Sequence, residues 1–344
     1  MGLLIVVPGR SALGDGPYRL GQGYALPWLG LKAGGYLTVR GADLEGQDGE
    51  VTLQNLSLFL SSDITPRWHF FAEVEVGNSV TVSDDGWSTS GREFDVERLY
   101  LERDLSARTT LRLGKFLTPI GRWNLIHADP LVWSVSRPLT TSAPFSRHAA
   151  GLELTGSRPL AAGLVDYRLW VDDTAVLDPS QGREEVFVEV GVPGNPRNAF
   201  DHGFGARVRY WSLDEALQVG VSVAHFRIKD QSGQRNLVGA DLFYTRGGAE
   251  LTGEAVYRGN DSPAVDAEWG GFLQLAVPLR HGFYGVATHE RYKAEAFPDA
   301  VTWDSLGVTY RPTPPVSLKL ERRETRGEEP LAPDGWQFSI GVLF

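Results

Sequence analysis

Between Leu111 and Arg147 the chain reads LRLGKFLTPIGRWNLIHADPLVWSVSRPLTTSAPFSR, and this stretch concentrates the side chains best placed to do chemistry. Arg122, Arg137 and Arg147 outweigh Asp129, the lone acid between them. Three guanidiniums and one carboxylate on a single loop suit the sorting of charged solutes, because ring charges at a constriction set which ions pass. The alternative is that these arginines anchor the loop by salt bridges. Trp123 and Trp133 bring apolar bulk and are expected to pack the loop onto a wall; stacking on a sugar is the lesser reading. Bond-making chemistry finds little support. The seven histidines are scattered, without a His-x-x-x-His pair, and there is no Gly-x-Ser-x-Gly elbow or phosphate-binding glycine loop. His148 and Ser146 are near in sequence only. Asp84-Asp85 and Asp172-Asp173 with Asp178 could hold calcium, but solvated loops explain them as well. The expectation is no enzyme, no cofactor and no metal.

The elements that must position these residues show one pattern. A strand from Leu111 stops at Thr118-Pro119, because proline cannot donate to a ladder. The following loop, residues 118–147, is too long for a hairpin turn and carries its own apolar side chains, so it is expected to fold inward. From about residue 30 to the last residue, apolar and polar positions alternate with period two. About sixteen such segments occur, each close to the length a tilted strand needs to cross a bilayer. Their connections alternate between tight turns, such as 61–65 and 104–106, and long polar loops, such as 77–91 and 173–201. Trp68, Trp269, Trp303, Tyr310, Trp336 and Phe344 are expected to form aromatic girdles. Short turns at one rim and long loops at the other describe an all-β, transmembrane antiparallel β-barrel of about 16 strands, with its third long loop in the lumen. A soluble sandwich would not need that asymmetry.

Length and composition agree. The 344 residues show no internal linker, so residues 30–344 are expected to be a single barrel, with 118–147 as the pore-constricting loop. Residues 1–29 form an N-terminal segment whose apolar start resembles the end of a secretory signal peptide, leading into a periplasmic start. A plain apolar tail is the alternative. The net charge of −10 argues against nucleic acid as a partner. The absence of cysteine fits passage through an oxidising compartment. No run of 18 uncharged apolar residues is present, which excludes a transmembrane helix.

Two motifs carry a family resemblance. The terminal strand WQFSIGVLF, ending on Phe344, resembles the signal that the barrel-assembly machinery reads in bacterial outer-membrane proteins. The stretch LRLGKFLTPIG (111–121), preceded by VERLYLE (96–102), resembles the phosphate-selective (O/P-type) porin superfamily. That resemblance implies a homotrimer of sixteen-stranded barrels in the outer membrane of a Gram-negative bacterium, among lipid and lipopolysaccharide. It covers about one hairpin. Phosphate selectivity does not transfer with it. Such pores are lined densely by cations, whereas here Arg98, Arg112, Arg207, Arg209, Lys319 and Arg323 share the lumen face with Glu73, Glu75 and other acids. The sequence therefore predicts a porin, a passive diffusion channel for small hydrophilic solutes or ions, with anion preference as a secondary expectation. The alternative is a plugged structural or binding barrel whose long loops engage a surface partner.

Overall fold

A computed structural model describes residues 18–26, 29–90, 92–126, 128–178, 199–261, 266–295, 299–326 and 333–344. The signal-like start of the chain, within residues 1–17, lies outside the described residues, as do residues 179–198 of the segment 173–201. Sixteen long strands form one closed antiparallel sheet: β1 (Leu31–Leu44), β2 (Glu50–Thr65), β3 (Trp68–Ser83), β4 (Glu93–Ser106), β5 (Thr109–Leu117), β6 (His148–Leu160), β7 (Gly163–Asp172) and β8 (Phe200–Ser212). The second half continues with β9 (Leu217–Ile228), β10 (Arg235–Arg246), β11 (Ala249–Asn260), β12 (Glu268–Pro278), β13 (Phe283–Lys293), β14 (Val301–Thr313), β15 (Val316–Arg326) and β16 (Gly335–Leu343). Every strand pairs with its sequence neighbour, and β16 pairs with β1 to close the ring.

The faces are inverted relative to a water-soluble protein. Large apolar side chains such as Leu58, Leu113, Phe204, Val221, Leu273, Leu306 and Ile340 stand exposed on the outside. Their strand neighbours Ser57, Arg207, Ser222, Gln274, Ser305 and Ser339 are buried on the inside. A sheet with polar groups sealed within and apolar groups facing out is stable only where the outer medium is itself apolar.

Several boundaries differ from the sequence reading. The expected turn at 61–65 is strand as far as Thr65, leaving only Pro66 and Arg67 between β2 and β3. The expected loop 77–91 begins as strand, because β3 continues through Ser79–Ser83 in the same alternation with polar residues on the inner face, and Gly86–Ser88 adds a short strand beside it. The described part of the N-terminal segment joins the sheet. Tyr18–Arg19 pairs with Gly23–Leu26, and the latter with the start of β1. Trp303 leaves the expected girdle: it shares a face with the buried Ser305 and Thr309 and is 1% exposed inside the barrel, while Leu306 and Val308 face out.

Closure is tight at the tight-turn rim. The Gly35 N–H donates to the Phe344 carbonyl at 2.9 Å, and the Phe344 N–H returns the bond at 2.9 Å. A Cβ on Gly35 would lie 2.1 Å from the Ser57 carbonyl oxygen and 2.9 Å from the Phe344 ring. Gly35→Val is therefore expected to prevent closure of the seam. In gel electrophoresis without boiling, the wild-type barrel should migrate as a compact band and the variant as an unfolded chain.

Candidate functional site: a loop clamped across the lumen

The loop 118–147 leaves β5 and returns to β6 through a narrow neck. The Thr118 N–H donates to the Arg147 carbonyl at 2.8 Å. Asn124 Nδ2 donates to the Thr118 and Arg147 carbonyls at 2.8 and 3.0 Å. Beyond the neck the chain makes three short 3-10 turns, Trp123–Leu125, Asp129–Leu131 and Leu139–Thr141. Such turns leave backbone N–H groups at their starts without internal partners, and burying them unpaired costs about 1–3 kcal/mol each.

Buried glutamates on the opposite wall accept those donors. Glu254 of β11 receives the Arg122 and Trp123 N–H groups at 2.8 and 2.5 Å. Glu290 of β13 receives the Leu139 and Thr140 N–H groups at 2.9 and 2.7 Å and the Thr140 hydroxyl at 2.6 Å. Glu321 of β15 receives the Val135 and Ser136 N–H groups at 2.9 and 3.4 Å. Gly121 fits because its φ of +64° suits glycine and because Glu254 fills the space a side chain would need. Shorter polar contacts complete the seal, with Gln274 Nε2 donating to Ser134 Oγ at 2.9 Å and Thr309 Oγ1 to the Trp133 carbonyl at 2.6 Å.

The residues singled out from sequence divide into groups. Trp123 packs edge-on against Phe272 at 5.5 Å, and Trp133 donates to Glu250 at 2.7 Å under the guanidinium of Arg311. Arg137 and Asp129 line a gap between the loop and the wall, together with Tyr36 and Arg40 of β1 and Asn55 of β2. Arg137 is braced by hydrogen bonds to Asn124 Oδ1 and the Thr141 carbonyl, both 3.0 Å. Asp129 also meets Lys319, whose Nζ lies 3.3 Å from the carboxylate and donates to the Asp129 carbonyl at 2.8 Å.

Arg122 and Arg147, expected beside them, lie elsewhere. Arg122 lies 4.1 Å over the Phe243 ring and bonds Gln218 at 3.3 Å. Burial lowers its pKa from the ordinary guanidinium value, opposed by Glu250, Glu254 and Asp241. Arg147 is buried at the neck, 3.4 Å from Glu97, which also meets His148 at 2.8 Å. Arg122 precedes the first turn, whose N–H groups are held by Glu254, whereas Arg147 is fixed at the neck beside the start of β6.

The remaining lumen residues pair along the wall. Arg98 meets Glu73 at 2.5 Å, Arg112 bridges Glu102 and Glu153 at 2.6 Å each, Arg207 meets Asp241 at 2.7 Å and Arg209 meets Asp166 at 2.9 Å. Glu75 accepts from Tyr36 and Asn55 at 2.6 and 2.7 Å, and Arg323 donates to the Pro333 carbonyl at 2.8 Å. The clamps Glu290 and Glu321 were not singled out from sequence. Their parity with Thr288 and Lys319 on the same strands was the signal available.

Glu254→Ala should release the loop's first turn. Loss of a bond to a charged acceptor, about 1.5–3 kcal/mol, is expected to accelerate hydrogen exchange at the Trp123 amide by roughly 10- to 100-fold. Exchange at amides of β1–β4 should not change.

No protein-family model and no curated protein matches the chain. Solved structures do. The anion-selective porin of Comamonas acidovorans aligns at 13% identity over 91% of this chain and 98% of that one, with a TM-score of 0.57. OmpF of Salmonella typhi, solved with daunomycin, aligns at 11% identity over 91% and 97%, with a TM-score of 0.62. OmpT of Vibrio cholerae, in a trimer form, aligns at 11% identity over 91% and 99%, with a TM-score of 0.59. At these identities the likeness is one of architecture, and the chain has the closed sixteen-stranded barrel fold of outer-membrane porins.

Proposed function

We propose that this chain is an outer-membrane porin, a passive diffusion channel for small hydrophilic solutes and ions in a Gram-negative bacterium. The observation that carries the reading is the gap left between the clamped loop and β1–β2 inside a barrel with an apolar exterior. A sixteen-stranded barrel is wide enough to leave an aqueous path, and on this reading the loop narrows that path beside β1 and β2. Arg40 and Arg137 face Asp129 at this point, and the Asp129 carboxylate is already engaged by Lys319. Glu75 and Glu321 stand behind the lining residues Tyr36, Asn55, Val135 and Ser136, so the gap carries charges of both signs. The anion preference we propose rests on Arg40 and Arg137 being the cations that line it. The phosphate-selective subtype is not part of the proposal, because the cations on the wall are spent on carboxylates.

The trimer form recorded for the Vibrio protein supports a homotrimer for this chain too. Lipid and lipopolysaccharide would meet the apolar exterior, and Phe344 would present the assembly signal. Purified protein in planar bilayers should give stepwise conductance, and a silent barrel would favour the plugged alternative. In a potassium chloride gradient the reversal potential should indicate anion preference. Arg137→Glu should shift it toward cations, and a cation-preferring wild type would overturn the assignment of the gap charges.

A further inference from the structure

The wall that the loop does not clamp carries a feature the diffusion-channel reading leaves unused. Tyr36, Phe59, Phe71 and Tyr100 come from four successive strands, β1 to β4, and project from the inner face. Their ring centroids are 5.7, 6.0 and 5.3 Å apart in that order, and the Phe71–Tyr100 pair is stacked at 19°. Arg98 lies over this row, 4.6 Å from the Phe71 centroid and 5.8 Å from that of Phe59. Tyr36 also borders the gap, so the row leads from it toward β5.

Phe59, Phe71 and Tyr100 are only partly buried, although they face the inside. Other inward rings, such as Trp170, Phe200, Phe226, Phe272 and Trp303, are almost fully buried, so these three are distinguished by the part of their surface they keep open. The row lies across from the loop's first anchor, since β11 with Glu254 is eight strands from β3 in a ring of sixteen. Arg98 has a second property. Its Nε is committed to Glu73, which is fully buried, while the Arg98 side chain remains 21% exposed and its two Nη groups have no hydrogen bond among the described residues. A guanidinium edge held in place by a carboxylate behind it and ring faces beside it is a preorganised fork for a second carboxylate.

We infer that this row is a low-affinity binding track, beside the gap, for solutes that join a flat aromatic ring to a carboxylate. The solute ring packs against the open parts of Phe59 and Phe71 beside the Arg98 guanidinium, while the carboxylate takes the outer edge of Arg98. A site in a conducting path must bind weakly enough to release, so millimolar affinity is expected. This inference rests on the diffusion-channel reading for its role, but the track itself does not depend on conduction.

The test uses the full chain, with benzoate and acetate as probes. In bilayers bathed in potassium chloride, millimolar benzoate should interrupt the wild-type current about tenfold more effectively than acetate, the difference expected from a stacked ring. Phe59→Leu with Phe71→Leu keeps side-chain bulk but removes the ring faces. It should still open in potassium chloride and weaken the benzoate effect about fivefold. Arg98→Gln should reduce benzoate binding while leaving binding of the uncharged benzyl alcohol in place. Magnetisation transfer from detergent-solubilised protein to the benzoate ring gives a readout independent of conduction. Transfer that is lost in the double variant, in a barrel that does not conduct, would sustain the track and overturn the channel. Normal potassium chloride steps with equal effects of benzoate and acetate, or with no change in the double variant, would overturn the track alone.

Discussion

A chain that enters the inside of a barrel takes its backbone N–H groups with it, and each must find an acceptor. That constraint organises this molecule. The loop turns too tightly to satisfy its own donors, so Glu254, Glu290 and Glu321 accept them in pairs from strands β11, β13 and β15. A carboxylate suits this task because it offers two oxygens and strengthens each bond by its charge. The price is three buried acids, and the converging N–H dipoles offset it. The position of the loop follows from where these glutamates stand, and within it Asn124 and Thr141 brace Arg137.

The clamps also explain why the wall has two characters. From β9 to β16 the inner face is committed to the loop through Ser222, Gln274, Thr309, Lys319 and Gln337 as well as the three glutamates. From β1 to β8 the inner face pairs largely with itself, through ion pairs such as Arg98–Glu73 and Arg209–Asp166 and through the ring row, and meets the loop at Glu97 and at the gap. The self-paired half leaves its surface to the lumen. Charge is thus balanced locally on the wall, while Arg40, Arg137, Lys319 and Asp129 meet where loop and wall approach each other.

Much of this was legible in the sequence, for a physical reason. Lipid on one side and water on the other force a period of two, so Leu111 and Arg112 or Val208 and Arg207 declare their faces directly. The inward loop was legible from Trp123, Leu125, Ile126 and Trp133, which had no strand of their own to pack on. Other features were hidden. At β4 a bulge at Glu97 shifts the parity and turns that acid inward, and a single sequence gives no local sign of it. Glu290 stands between His289 and Arg291, so charge on both faces masked its direction. Trp303 looked like a girdle residue because tryptophan is common there, but its neighbours Ser305 and Thr309 fix its face as the inner one. Arg122 and Arg147 were drawn to the gap by charge alone, whereas the local turns decide where a side chain points.

The seam between β1 and β16 has a consequence for how the molecule is made. These strands pair over Tyr36 to Leu44 and Gly335 to Leu343, the longest separation in sequence that any contact in the ring must bridge. Until β16 has been synthesised, β1 presents a row of unmet peptide groups, and every partly built sheet has two raw edges able to recruit another chain. Registration of this last pairing comes late, because loop-closure entropy must be overcome before the contact repays it. Biogenesis is therefore a race between sealing one ring and joining two. The cell must shelter the nascent sheet until its two ends meet.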